Sequence, residues 1–117
     1  MKILVCGGRD FSDRKLLFKT LDDLEELGSG IAKIVTGGAR GADKLAVQWA
    51  NSRQVNRTIY LAKWAMFGRY AGLARNREML DSEKPDLIVA FPGGKGTAHM
   101  VRIARQGGYE VTEITSS

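Results

Sequence analysis

Asp86-Leu87-Ile88-Val89-Ala90-Phe91-Pro92-Gly93-Gly94-Lys95-Gly96-Thr97 is the stretch that decides the fold class of this chain. Asp86–Phe91 reads as a buried strand, and the glycines after it open a helical pattern near Thr97. A strand that turns through glycines into a helix presents backbone N–H groups and the positive end of a helix dipole. That is a ready site for phosphate or another anion. Two further stretches share the layout: Lys2–Cys6 runs into Gly7-Gly8, and Ile31–Val35 runs into Thr36-Gly37-Gly38-Ala39-Arg40-Gly41.

Working outward, strand-like and helix-like patterns alternate along the whole chain. Ser12 or Asp13 caps a helix expected over Arg14–Leu27, with Leu16, Leu17, Leu21 and Leu24 at helical spacing. A second helix is expected over Ala42–Ser52 and a third strand over Asn56–Leu61. A loop with Trp64 and Phe67 then leads to a helix over Arg69–Asp81. Pro85 stops that helix before the fourth strand. A last helix over Thr97–Gln106 and a strand over Tyr109–Ile114 complete the pattern, with Thr115-Ser116-Ser117 as a tail.

Such an alternation implies an α/β fold: a Rossmann-like three-layer domain with a five-stranded parallel sheet, order 3-2-1-4-5, and helices on both faces. In that order the strands feeding the three glycine loops are adjacent at the sheet centre. Ligands bind outside the carboxyl ends of such strands, where the strand order reverses. The three loops are therefore expected to form one pocket.

The length of 117 residues suits one domain over 1–117, and 44% apolar with 26% charged residues is ordinary for a globular chain. No apolar run approaches a membrane span, and the N-terminus enters a strand without a signal-peptide layout. A single cysteine, Cys6, excludes an internal disulfide framework. Cytoplasmic localisation and no membrane partner are the resulting expectations, with Cys6 as a buried, inert thiol. Eighteen Lys and Arg against 13 Asp and Glu leave a net charge of +5. That excess suits nucleic acid or a phosphorylated small molecule, and its scattered placement favours the latter.

The loops match neither the G-x-G-x-x-G dinucleotide fingerprint nor the P-loop. Arginine's planar fork suits bidentate phosphate contact, which marks Arg9, Arg40 and Arg75 as ligand contacts. Arg77 either reaches the pocket or snorkels along its helix. Asp43 supports its helix N-terminus or meets a ribose, and Asp10 pairs with Arg9 or accepts a ribose hydroxyl. Trp64 and Phe67 cover the core or stack on a base. His99 is the only histidine and is expected as a solvated residue, so no metal site is expected. The expected ligand-binding set is Gly7, Gly8, Arg9, Asp10, Gly37, Gly38, Ala39, Arg40, Gly41, Asp43, Trp64, Arg75, Arg77, Pro92, Gly93, Gly94, Lys95, Gly96 and Thr97.

The stretch from Gly37 to Ala46 resembles the helix-opening loop of DNA-processing protein A. Pro92–Thr97 is similar to the P-G-G-x-G-T signature of the "lonely guy" phosphoribohydrolases of the same superfamily. Together with Val5–Phe11 and Arg75-Asn76-Arg77-Glu78-Met79, they identify the chain as a member of the YspA/YpsA-related SLOG family. The resemblance implies a Rossmann-like fold, a nucleotide-derived ligand and a homo-oligomer, dimer or larger. In the hydrolase signature an arginine and a glutamate are catalytic. Arg75 matches the arginine, but Met100 stands at the glutamate position, and a thioether cannot act as a general base. Binding of a nucleotide or nucleotide-derived molecule, as sensor or sponge, therefore ranks first, with no required cofactor. A phosphoribohydrolase-like N-glycosidase ranks second, and single-stranded nucleic-acid binding third.

Overall fold

The computed structural model describes residues 1–115; of the expected tail, Ser116 and Ser117 lie outside the described residues. In chain order its elements are β1 (Lys2–Cys6), α1 (Arg14–Glu25), β2 (Lys33–Thr36), α2 (Ala42–Arg53) and β3 (Asn56–Ile59). There follow α3 (Trp64–Phe67), a 3-10 turn over Gly68–Tyr70, α4 (Ala71–Glu83), β4 (Leu87–Ala90), α5 (Lys95–Gln106) and β5 (Val111–Glu113). The strands pair in parallel in the order β3-β2-β1-β4-β5, as the alternation predicts.

Period-two alternation along the central strands sends side chains to opposite layers. Ile3 and Val5 of β1, with Ile34 and Val89 beside them, pack under Leu17 and Leu21 of α1 and Ala46 and Trp49 of α2. Leu4 and Cys6 point the other way, with Val35 and Ile88, against Met79 and Leu80 of α4 and Met100 and Ile103 of α5. A sheet covered on both faces needs apolar side chains on both, which is why β1, β2 and β4 read as continuous apolar runs.

Three local differences from the sequence expectation bear on the site. The segment expected as a loop around Trp64 is the short helix α3 followed by a 3-10 turn, so α4 starts at Ala71 rather than Arg69. Trp64 and Phe67 do not cover the core: they are 51% and 44% exposed. Finally, α5 begins at Lys95, with Gly94 as its N-cap, so Lys95, Gly96 and Thr97 belong to its first turn. Their N–H groups are among those a helix leaves without intrahelical partners.

Candidate functional site

The connections after β1, β2 and β4 meet at the carboxyl edge of the sheet, and the first of them braces the other two. Gly8 N–H donates to the Pro92 carbonyl at 2.9 Å, while Gly8 C=O accepts from Phe11 N–H and Ala42 N–H, both at 3.2 Å. A side chain at Gly8 would lie 2.9 Å from Gly93 Cα, so the two backbones approach too closely for anything but glycine. This first loop is thus consumed in architecture. Its carbonyl also occupies the N-terminus of α2, whose N-cap Gly41 offers no side-chain cap.

The helix termini therefore differ in what they leave open. Asp13 caps α1 by accepting from Leu16 N–H at 3.1 Å, whereas α5 has no side-chain cap. Beside α5 lies a cavity of about 850 Å³. Of the expected residues it is lined by Gly7, Gly8, Arg9, Asp10, Gly37, Ala39, Asp43, Trp64, Arg75 and the whole run from Pro92 to Thr97. Gly38 and Arg40 line a neighbouring cleft that shares Arg9, Trp64 and Arg75 with the first. Arg77 and Gly41 line neither, and Arg77 is exposed.

Arg75 is the least exposed of the cations that line the cavity. Its half-buried guanidinium donates from Nη1 to the Gly37 carbonyl at 2.6 Å and from Nε to Asn76 Oδ1 at 3.2 Å. Among the described residues Nη2 has no acceptor. A Cβ at Gly37 would sit 2.5 Å from Nη1, so the arginine packs flat against bare backbone there. Burial pulls the Arg75 pKa below the usual value; Asp43 opposes this through space and Arg9 adds to it. The Arg9 guanidinium in turn lies 5.9 Å from the Trp64 ring centre, which puts an aromatic face at the cavity's rim.

Asp43 is 6% exposed and accepts from Ala39 N–H at 3.1 Å, supporting the loop that leads into α2. Burial pushes its pKa up, while that hydrogen bond and the Arg75 charge pull the other way. Arg40 meets Asp10 at 3.5 Å with both side chains largely exposed, a pair of little energetic consequence. Cys6 is buried, and that burial pushes its thiol up to about 12, which removes thiolate chemistry at neutral pH. Met100 is fully buried between the sheet and α4 and does not line the cavity.

Ten lining residues lie outside the expected set, Val5, Cys6, Phe11, Ser12, Asp13, Arg69, Gly72, Leu73, Asn76 and Met79, and two of them, Arg69 and Asn76, bring hydrogen-bonding groups from the α4 side. Arg69 comes from the 3-10 turn and had no motif to mark it. Asn76 is 5% exposed, and a polar residue three and four positions before the buried Met79 and Leu80 falls on the inward stripe of α4. That misplaced polarity was the available signal. His99, expected as solvated, is half-buried and lies 3.2 Å from Asn76 through Nδ1.

The profile of the YspA, cpYpsA-related SLOG family matches residues 1–67, which span the loops after β1 and β2. The chain belongs to that family. The Gene 61 protein of Mycobacterium phage D29 is similar throughout, 37% identical over 118 residues covering 94% of this chain and 93% of that protein. A SLOG domain of this kind accounts for the sheet order and for a general nucleotide-related binding role. Among the described residues no cluster of His, Cys, Asp and Glu could hold a metal ion. No helix among them is long and apolar enough to cross a membrane.

Proposed function

We propose that this SLOG protein binds a nucleotide or nucleotide-derived small molecule, as a sensor or a sequestering protein, in the cavity between Arg75 and the first turn of α5. The observation that carries the reading is the unpaired Arg75 Nη2 beside a helix N-terminus without a side-chain cap. One helix terminus supplies only about 0.3–1 kcal/mol, and micromolar affinity needs about 8 kcal/mol. The remainder comes from the guanidinium fork on phosphate and from a base against the Trp64 rim. The ligand contacts on this reading are Gly37, Ala39, Arg75 and Gly93 to Thr97, with Arg9, Trp64 and Asp43 behind them and Gly38 and Arg40 on the adjoining cleft.

Binding without turnover is favoured over N-glycosidic hydrolysis because α5 sends Met100 into the core and no carboxylate into the cavity. One domain over 1–117, acting in the cytoplasm, completes the reading. The large apolar side chains Ile59, Leu61, Trp64, Met66, Phe67, Tyr70 and Leu73 are all exposed within one short segment, which supports a homo-oligomer formed over this face.

Thermal melts with AMP, ADP-ribose and NAD test the reading, alongside mass spectrometry of small molecules released on denaturation. A side chain at Gly94 would meet nothing within 4 Å, so Gly94→Val keeps the fold while crowding the anion cradle. The expected result is a ligand-dependent rise in Tm that this variant loses. No rise with any nucleotide and no released ligand would sink the proposal. Free base released from AMP would move it to the hydrolase.

A further inference from the structure

Asn76 sits where the two halves of the anion site meet, and hydrogen-bond chemistry fixes its orientation. Arg75 Nε can only donate, so the Asn76 atom 3.2 Å from it is the carbonyl Oδ1. The Gly96 carbonyl can only accept, so the Asn76 atom 3.1 Å from it is the amide Nδ2. The same Nδ2 lies 3.2 Å from His99 Nδ1 and has one proton left to give. That ring nitrogen must then hold a lone pair, which makes His99 neutral with its proton on Nε2.

The alternatives are worse by count. Turning the amide over would set N–H against Arg75 Nε and C=O against the Gly96 carbonyl, two repulsive contacts in a site that is 5% exposed at Asn76. Protonating His99 places a proton on Nδ1 facing the Asn76 N–H, and relief requires that turn, a rotation of the imidazole away from Asn76, or a separation of α4 from α5; each breaks the contact between Asn76 and His99. The Asn76 amide thus ties the guanidinium that faces the cavity to the carbonyl of Gly96, in the very turn whose N–H groups face it.

We propose that Asn76 is the positioning residue of the anion site, clamping Arg75 to the first turn of α5, and that neutral His99 completes the clamp. The proposal rests on the nucleotide-binding reading above and adds to it a dependence on pH. The charged groups acting on His99 are Arg102 from α5 and Arg77 from α4, both cationic. Burial first, then Arg102 and Arg77, hold its pKa below the usual histidine value. At neutral pH the clamp is closed; acidification through the His99 transition opens it and weakens anion binding.

The chain has one histidine, so its imidazole signals in ¹H–¹⁵N NMR need no assignment. The free protein is expected to show the Nε2–H tautomer, and AMP to lower the apparent pKa of the ring. A phosphate acting on His99 by charge alone would raise that pKa, so the direction separates the clamp from simple attraction. Asn76→Ala should raise the ring pKa and weaken AMP about tenfold, roughly 1.4 kcal/mol. His99→Gln keeps an acceptor that cannot titrate. Whatever its affinity for AMP at neutral pH, it should lack the native protein's extra weakening as pH falls. AMP's own ionisation near about pH 6 acts on both proteins and cancels in the comparison.

An Nδ1–H tautomer, an upward shift with AMP, or identical pH profiles for native protein and His99→Gln would overturn the clamp while leaving nucleotide binding standing. Should Asn76→Ala not fold, the tautomer and the His99→Gln profile still decide. AMP binding that Asn76→Ala leaves unchanged would likewise overturn it. No binding of AMP, ADP-ribose or NAD by any form, with no small molecule released on denaturation, would overturn both readings together.

Discussion

The two ends of α4 treat charge in opposite ways. At its start, the Arg75 guanidinium is half-buried with only carbonyl and amide partners and one nitrogen left open to the cavity. At its end, Glu83 is 9% exposed and meets Lys33 Nζ at 2.8 Å, Lys2 Nζ at 3.2 Å and the Tyr60 hydroxyl at 2.6 Å. Lys2 also donates to the Glu83 carbonyl at 2.8 Å, which satisfies an acceptor the helix leaves open at its end. Burial works against ionising Glu83, yet the bonds from Lys33, Tyr60 and Lys2 outweigh it and hold its carboxyl down to about 2.

The difference separates structure from function on one helix. A buried charge whose partners are all internal ties β1, β2 and the end of β3 to α4 and has nothing left for a ligand. One whose hydrogen-bond partners are neutral, with Asp43 acting on it only through space, leaves part of its field to the cavity, where an incoming anion gains from it. The largest effect expected from breaking this contrast is at the compensated end. Glu83→Ala leaves two lysines half-buried together and removes the acceptor of the Tyr60 hydroxyl. Stability to urea should fall on the order of 3 kcal/mol, the range for orphaning one side of a buried pair, while AMP affinity stays within about twofold. A loss of affinity equal to that at Arg75 would show that the two ends are one unit and that the contrast is false.

Acid titration sharpens the same contrast, because the pKa values of Glu83 and of Asp43, the carboxylate near Arg75, are shifted in opposite directions. Glu83 has a folded pKa below its unfolded one. Its contribution is full above the ordinary glutamate value near 4.5 and is lost as pH falls toward about 2. Asp43, near Arg75, has its folded pKa raised, so its ionisation costs stability at neutral pH and protonation relieves that cost. The native protein should therefore lose on the order of 2 kcal/mol from the Glu83 term between about pH 5 and pH 2. Glu83→Gln should start less stable and flatten that decline, as read from urea midpoints at a series of pH values. An unchanged slope would place the acid sensitivity elsewhere.

How much of this was legible beforehand depends on whether the physics is local. The strand order followed from periodicity and glycine punctuation, both carried by consecutive residues. Pro92 to Thr97 was named because a strand running through glycines into a helix makes an anion cradle, and Arg75 from its planar fork and a family resemblance; both line one cavity. The Glu83 network was not visible, since its partners lie 81, 50 and 23 residues away and come together only through the register of the sheet. The α3 segment was misread for a related reason. A four-residue helix has too little periodicity to show, and Trp64 and Phe67 looked like core residues by type alone. Arg77 was expected from its helical stripe either to reach the pocket or to snorkel; it is exposed and lines neither cavity.

The smallest expected change in stability is at the functional end, and it is the most informative. Arg75→Met keeps the stem's packing against Gly37 and removes a half-buried cation that has no ion-pair partner within 4 Å among the described residues. The desolvation cost of the guanidinium disappears together with its bonds to the Gly37 carbonyl and Asn76, and these terms nearly cancel. The stability of the free protein should change by less than about 1 kcal/mol, in either direction. AMP affinity should fall about thirtyfold, the equivalent of roughly 2 kcal/mol for a lost charge-assisted contact. The variant's Tm with saturating AMP should then sit well below the native protein's, although the two free proteins melt together. If instead the free variant unfolds as readily as Glu83→Ala, Arg75 is a structural residue like its counterpart at the other end of α4. The open Nη2 would then be incidental to its role.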